Sequence, residues 1–291
     1  MTTLAPALWR AGERAFPPTL ARVPTPPRHL YTLGDRGTLD RPCVAIVGTR
    51  YPSEYGVRVT RQLSATLANA GICVISGLAQ GIDAVAHQSA LANQGATVAV
   101  LGGGIDKIYP TRNRALYHRI AHEGMIVSEF EPGHPHFPGC FPRRNRLIAG
   151  LASVTIVVEA GIKSGALITA NYAVDMGRMV AAIPGPIDAP SSAGTNQLLR
   201  DGAHVIASVD DALTLVDLAT PHETPEPDPP SPETLDANQQ RLLSALANET
   251  LSPDALAVRS NLAPHHMLAT LTSLELLGMV QTLPTGEIRR R

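Results

Sequence analysis

Polar and apolar positions along this chain fall into two regimes. Between residues 41 and 215 one pattern recurs: a short apolar run rich in β-branched residues, a glycine turn, then a stretch of helical length. The runs are Val44–Val47, Ile72–Ile75, Thr97–Leu101, Met125–Ser128, Val154–Val158, Met179–Ile183 and His204–Ile206. Tyr55–Ala70 and Ile82–Asn93 lie between runs, and in the second of these Ile82, Val85, Ala86 and Ser89-Ala90 recur at helical spacing. Strands that are apolar throughout, rather than at alternate positions, are covered on both faces. The expected fold class is therefore α/β, a Rossmann-like doubly wound and mainly parallel sheet.

Beyond residue 235 the pattern becomes one of short helices. Ala237–Leu246 is apolar on one face, and Ser252-Pro253-Asp254 reads as an N-cap followed by proline at the first helical position. Asn261 is placed to close that second helix, Pro264 opens a third running to Leu277, and Pro284-Thr285-Gly286 reads as a hairpin turn. Three helices and a hairpin predict a small winged helix-turn-helix module; a three-helix protein-interaction domain is the plainer alternative.

Charge changes the picture by zone rather than in total. The 291 residues carry 24 basic and 25 acidic side chains, which excludes a uniformly basic coat for nucleic acid. Residues 1–40 hold five arginines and three acids among several prolines and read as an N-terminal connector segment. Residues 41–215 form the α/β domain. Residues 216–235 hold five acids, no lysine or arginine, and the run Pro225-Glu-Pro-Asp-Pro-Pro230, the composition of an extended linker. Residues 236–291 form the C-terminal module, with charges balanced at five against five. Cys43, Cys73 and Cys140 are few, odd in number and far apart, which points to a reducing compartment. No signal-peptide pattern opens the chain, and no apolar run approaches the ~20 residues of a membrane span. A cytoplasmic protein with no membrane contact is expected.

Candidate chemistry lies in the loops that follow the strands, where ligands of open α/β sheets collect. Four are rich in glycine and hydroxyls: Gly48-Thr49-Arg50, Ser76-Gly77-Leu78-Ala79-Gln80-Gly81, Gly102-Gly103-Gly104 and Ser164-Gly165-Ala166-Leu167-Ile168-Thr169. Glycine lets amides approach an anion, and a following helix N-terminus adds partial positive charge. The dinucleotide fingerprint, the Walker pattern, the G-x-S-x-G elbow and H-E-x-x-H are all missing. What is left is a phosphate cradle without visible bond-breaking machinery.

The block Phe137-Pro-Gly-Cys-Phe-Pro-Arg-Arg-Asn-Arg146 adds aromatics for base stacking and arginines for phosphates. With Arg50, Arg112 and Arg114 it predicts a local basic groove; the alternative is ordinary core phenylalanines and a solvated turn. His134, His136 and Cys140 have no second half that would make a metal site, and none is expected. His265-His266 reads as solvent-facing. Glu159 fits a general base or, better, a carboxylate that anchors its own loop.

Taken in order, these stretches resemble the DprA/Smf family of DNA-processing proteins. The match runs through Ile46-Val-Gly-Thr-Arg50, Ser76-Gly-Leu-Ala-Gln-Gly-Ile-Asp83 with His87, Leu101-Gly-Gly-Gly104 with Tyr109-Pro110, and Ser128-Glu129. It continues through Phe141-Pro-Arg-Arg-Asn-Arg-Leu-Ile-Ala-Gly-Leu151, Val158-Glu-Ala160, Ser164–Thr169, Pro184-Gly185 and Gly194–Ala203. The resemblance implies an extended Rossmann domain that works as a homodimer, binds single-stranded DNA without sequence specificity, protects it, and loads RecA recombinase onto it in natural transformation. It implies no enzyme activity and no cofactor. It would place Arg50 and Lys107 on phosphates, Phe137 or Phe141 against a base, and Arg143 and Arg146 beside the groove. Donors would come from Gly48, Thr49, Gly102, Gly103, Ser164, Gly165 and Thr169. Ser76, Gly77, Gly104, Arg112, Arg144, Asn145 and Lys163 complete the expected DNA-binding set.

Many relatives begin with a helical domain of sterile-alpha-motif type. Ala15–Leu30 resembles the connector that follows it; either the domain itself is absent or the true start lies upstream of Met1. The C-terminal module resembles the family's winged-helix extension, and its balanced charge suits contact with duplex DNA or with protein. The rival function is a nucleotide phosphoribohydrolase on a related core. Its Pro-Gly-Gly-x-Gly-Thr hallmark is replaced here by Pro184-Gly185-Pro186 and by Ala-Gly-Ile-Lys-Ser-Gly after Glu159.

Overall fold

The structure is a computed structural model that describes residues 5–219, 235–247, 249–277, 279–283 and 286–290. Two compact units divide the chain, residues 1–221 and 222–291. Most of the acidic linker, and Pro284 and Thr285 of the hairpin turn, lie outside the described residues.

In the first unit the strands are β1 (Ala7–Arg10), β2 (His29–Gly34), β3 (Cys43–Val47), β4 (Cys73–Ser76), β5 (Thr97–Leu101), β6 (Met125–Ser128), β7 (Val154–Val157), β8 (Met179–Ala182) and β9 (His204–Val205). Between them run the helices α1 (Glu54–Asn69), α2 (Ile82–Ala92), α3 (Arg114–Glu123), α4 (Cys140–Leu151), α5 (Gly165–Asp175) and α6 (Ala193–Arg200), with α7 (Val209–Ala219) closing the unit. The sheet order is β1-β2-β6-β5-β4-β3-β7-β8-β9. From β6 to β9 every pair is parallel. The chain starts this parallel part at its middle, on β3, works outward to β6, then crosses back to β7 on the other side. That reversal makes the β3–β7 junction a topological switch point, where loops diverge and leave a crevice.

Both faces of the sheet are covered, as the uniformly apolar runs require. Alternate residues of β3 serve the two sides. Ala45 and Val47 belong to the cluster with Leu147 and Ile148 of α4 and Ala166 and Ala170 of α5. Val44 and Ile46 belong to the cluster with Leu63 and Leu67 of α1 and Leu215 of α7.

Two boundaries differ from the sequence reading. The first forty residues are part of the sheet: β2 pairs antiparallel with β6, and β1 pairs antiparallel with β2. Trp9, Phe16, Leu20 and Val23 join the core beside α4. Proline interrupts this segment too often for a periodic pattern to show, yet its few apolar residues are buried. At the other end α7 continues to Ala219, past residue 215 where the linker was expected to begin.

The second unit holds α8 (Ala237–Leu246), α9 (Pro253–Ser260) and α10 (Pro264–Leu276), then the antiparallel pair β10 (Val280–Thr282) and β11 (Ile288–Arg290). Asp236 and Gln239 form a capping box at the start of α8. Ser252 caps α9 and Asn261 ends it in the left-handed conformation. Leu242, Leu246, Leu256, Leu274, Val280 and Ile288 make its core. Three helices and a two-stranded wing are the expected arrangement.

Candidate functional site

A cleft of about 730 Å³ opens at the switch point. One wall is the β3–α1 loop with Gly48, Thr49, Arg50 and Tyr51; the opposite wall is the β7–α5 loop with Lys163, Ser164 and Gly165. Phe141, Arg144 and Asn145 of α4 line it from below, and Tyr109 borders it.

Each wall has a local cause. Thr49 N–H donates to the Glu159 carbonyl at 2.7 Å, which ties the two loops together at the ends of their neighbouring strands. Ser164 caps α5, its hydroxyl accepting from Ala166 N–H at 3.3 Å. The helix N-terminus that results, positive through its aligned peptide dipoles, borders the cleft. Gly165 is exposed there, with open space where a side chain would stand. Arg50 and Lys163, both exposed, add full charges on facing loops.

The aromatic element is Phe141. Its ring stacks on His136 at 6.2 Å and 10°, tilts against Tyr109 at 5.5 Å, and lies 5.8 Å from the Arg50 guanidinium. His136 is itself held by a backbone carbonyl, its Nε2–H donating to Lys107 O at 2.9 Å. The ring is therefore positioned from several sides while still lining the cleft.

Arg144 is buried under the floor. It donates to the carbonyls of Gly77 (2.6 Å) and Val100 and to Asn145 Oδ1 at 3.1 Å. Asn145 in turn donates to Gly165 O at 3.2 Å. Burial, with Arg50 nearby, draws the Arg144 pKa down to about 10, and the Asp83 carboxylate opposes that drift. Burial likewise raises the Asp83 pKa, against the pull of Arg144 and of two backbone donors.

The Ser76–Gly81 loop departs from its expected role. Its amides are already occupied: Gly77 N–H and Ala79 N–H donate to Asp83 Oδ2 at 3.1 and 3.3 Å. The chain supplies its own anion to this nest, from the first turn of α2. Ser76 is fully buried and donates to Ile46 O at 2.7 Å. Gly77 is glycine because a Cβ would stand 2.2 Å from Arg144 Nη2.

Gly102, Gly103 and Gly104 are also buried, beneath the segment that carries His134 and His136. Gly104 N–H donates to His134 O at 3.0 Å, and a Cβ on Gly103 would stand 2.3 Å from His136 Nδ1. These glycines admit a covering loop and do not line the cleft.

Of the other expected residues, Thr169 lines the cleft, while Lys107, Arg112, Phe137, Arg143 and Arg146 do not. Lys107 pairs with Asp106 at 3.8 Å. Arg143 reaches Glu129 at 3.2 Å and covers the Phe130 ring. Arg146 is buried and donates to both oxygens of Glu129, at 2.5 and 2.6 Å. Phe137 is 49% exposed but packs on His134 away from the cleft lining. Arg112 is exposed in a short turn before α3.

Tyr51, Asp83 and Tyr109 also line the cleft, and of these the sequence marks Asp83 and Tyr109 only as parts of motifs. Tyr51 carried a signal, an aromatic directly after a loop arginine. Glu159 is buried and accepts from Ser53 N–H (3.0 Å) and Oγ–H (3.1 Å), the loop-anchor reading.

A doubly wound α/β domain with a basic, aromatic-floored cleft at its switch point, in a chain that ends in a winged-helix unit, defines the class. A family model described as DNA recombination-mediator protein A matches residues 7–217, and one described as DprA winged helix domain matches residues 226–286. This chain belongs to the DprA/Smf family. It is 38% identical to protein Smf of Synechocystis over 312 residues, covering 95% of this chain and 78% of that protein. To the putative DNA processing protein DprA of Mycobacterium tuberculosis it is 41% identical over 239 residues, 81% of this chain and 61% of that one. The structure of DprA from Helicobacter pylori, described for its single-stranded DNA binding mode, superposes with a TM-score of 0.68 at 32% identity. It covers 74% of this chain and 97% of that one.

Proposed function

We propose that this protein binds single-stranded DNA in the switch-point cleft, without reading a defined sequence, and passes the strand to RecA recombinase in recombination during natural transformation. The observation that carries the reading is the pairing of Arg50 with the Phe141 ring, 5.8 Å apart at the cleft, opposite Lys163 and the α5 N-terminus. An aromatic face suits any base, and cations beside it suit the backbone, so one small area meets both parts of a nucleotide. The Helicobacter relative, whose structure was described for single-stranded DNA binding, supports the ligand. The family description as a recombination mediator supports the handover.

On this reading the protein is a binder and not an enzyme, and it acts in the cytoplasm, where RecA and incoming strands meet. It acts as a homodimer through the end of the sheet near Leu198–Ile206, where Val205 is exposed. The test is a fluorescence-anisotropy titration of labelled oligo-dT against a matched duplex at low and high salt. Tight, salt-sensitive preference for the single strand is expected, because neutralised phosphates release counterions. Absence of binding, with release of free base from a nucleoside monophosphate, would replace it with the phosphoribohydrolase reading.

A further inference from the structure

A second cavity, of about 520 Å³, adjoins the cleft along the same edge of the sheet. That size is within the roughly 300–1,000 Å³ of small-ligand sites. The two share their framework: Tyr51 and Gly161 border the cleft, and Ser53 and Glu159, two residues from each, border the cavity. Tyr51, on the cleft side, is 79% exposed.

The cavity walls are flat and largely apolar, formed by Tyr55, Pro184 and Pro186. Ser191 and Ser192 add hydroxyls to the lining, while other polar groups of the wall are engaged from within. Tyr55 O–H donates to Pro184 O at 3.2 Å, and the Asn196 side chain pairs with both the N–H and the carbonyl of Gly185, at 3.2 and 3.0 Å.

Glu159 is the carboxylate of the lining. The residue is 4% exposed, and only its Oε2 is engaged, by Ser53. Oε1 accepts no hydrogen bond from the described residues, yet it is not fully enclosed by protein. It therefore faces the cavity as an open acceptor. A carboxylate oxygen open to a cavity is an acceptor, and a ligand that brings a matching donor can take the place of water there, whereas one that closes the cavity without a donor leaves it costly and unsatisfied.

We propose that this cavity is a base-binding subsite on the strand path, selective for bases with an exocyclic amino group, and that it takes cytosine in preference to thymine. The inference rests on the single-strand reading of the adjoining cleft. Cytosine presents its N4 amino group as a donor, the group that Glu and Asp accept from in base recognition. The N3–H of thymine is flanked on both sides by carbonyl oxygens, which a carboxylate repels. Tyr55 and the prolines supply faces for the ring, and the cations of the cleft hold the backbone.

The experiment compares oligo-dC with oligo-dT of equal length on the full chain, at mildly alkaline pH so that cytosine stays unprotonated. Oligo-dC is expected to bind roughly tenfold more tightly, within what one good base contact supplies. Glu159→Gln keeps an acceptor for Ser53 and turns an amide N–H₂ toward the cavity, so the ratio should vanish or reverse. Tyr55→Ala, outside that hydrogen-bond set, should reduce the ratio and decides the matter if Glu159→Gln does not fold. Equal binding, tighter oligo-dT, or a ratio untouched by the variants overturns the subsite and leaves the cleft standing. Failure of both oligonucleotides to bind overturns both.

Discussion

The guanidinium of Arg50 and the ring of Phe141 lie 5.8 Å apart, although ninety-one positions separate them in the chain (141 − 50). One belongs to the loop after the central strand, the other to the first turn of a helix beneath the sheet edge. Cation–π attraction of this kind contributes about 0.5–1 kcal/mol at exposed sites. Its larger effect here is positional, because it sets a cation and an aromatic ring side by side, which on the proposed reading lets a phosphate and a base of one nucleotide meet their partners together.

Arg50→Glu should abolish measurable binding of single strands while leaving the melting temperature close to that of the parent. The side chain is exposed, and nothing in the core depends on it. Arg50→Ala should weaken binding and flatten the salt dependence, by about 0.7 in the log–log slope for each phosphate that is no longer neutralised. An unchanged slope and affinity would remove Arg50 from the interface.

Phe141 and Phe137 should separate cleanly in a paired test. Phe141→Ala is expected to lower affinity by about ten- to a hundredfold, from the roughly 1–3 kcal/mol that stacking on one base supplies. Phe137→Ala, whose side chain lies outside the cleft lining, should change affinity little. Anisotropy titrations of both variants decide which ring holds a base.

Arg146 should prove structural. Its ion pair with Glu129 is buried, with side-chain exposures of 5% and 10%. Removing one partner from such a pair costs about 3–5 kcal/mol, because the other charge is left without compensation. Arg143 still reaches Glu129, which places Arg146→Ala toward the lower end. Denaturant unfolding should show this destabilisation, whereas the affinity of the folded fraction for single strands should match the parent.

His87 sets a pH dependence of stability. Thr97 donates its hydroxyl hydrogen to Val74 O at 2.7 Å, so it accepts from His87 Nδ1–H at 2.7 Å, which fixes the tautomer. Nε2 is then a buried acceptor with no partner. Burial, reinforced by Arg144, lowers the His87 pKa from 6.5 to about 3. The unfolded chain therefore binds a proton below pH 6.5 that the folded chain refuses until about pH 3. Stability falls with decreasing pH across that window, by about 1.4 kcal/mol per pH unit once the unfolded histidine is protonated. Between neutrality and pH 5 this amounts to ~2 kcal/mol. Urea midpoints measured across the range should follow that trend, and His87→Leu should flatten it.

The parallel strands from β3 to β8 were legible because each is a short, largely apolar run bounded by turn signals, too short for a buried helix. β1 and β2 were not, since four and six residues among prolines give too little periodicity. Arg50, Lys163 and Ser164 were legible as site residues because loops after parallel strands converge on one edge whatever their sequences. Occupancy was not legible. Glycines at 77 and 102–104 signal close approach of something, and the sequence leaves open whether that is a ligand, a carboxylate such as Asp83, or a covering loop. Arg146 posed the same problem: a cation in a motif reads as free until its distant partner, Glu129, is placed beside it.

The cation beneath the cleft floor differs in kind from those on its walls. Arg144 is pinned to the carbonyls that follow β4 and end β5, and on the proposed reading it has no solvent-facing rotamers to surrender when a strand arrives. Its orientation is fixed once, when the sheet forms, so the potential it casts into the cleft is constant. Mechanical integrity of the β4–β5 junction and ligand affinity thus become one property. A disturbance that spreads those two strand ends would dim the field at the mouth before the domain as a whole gave way.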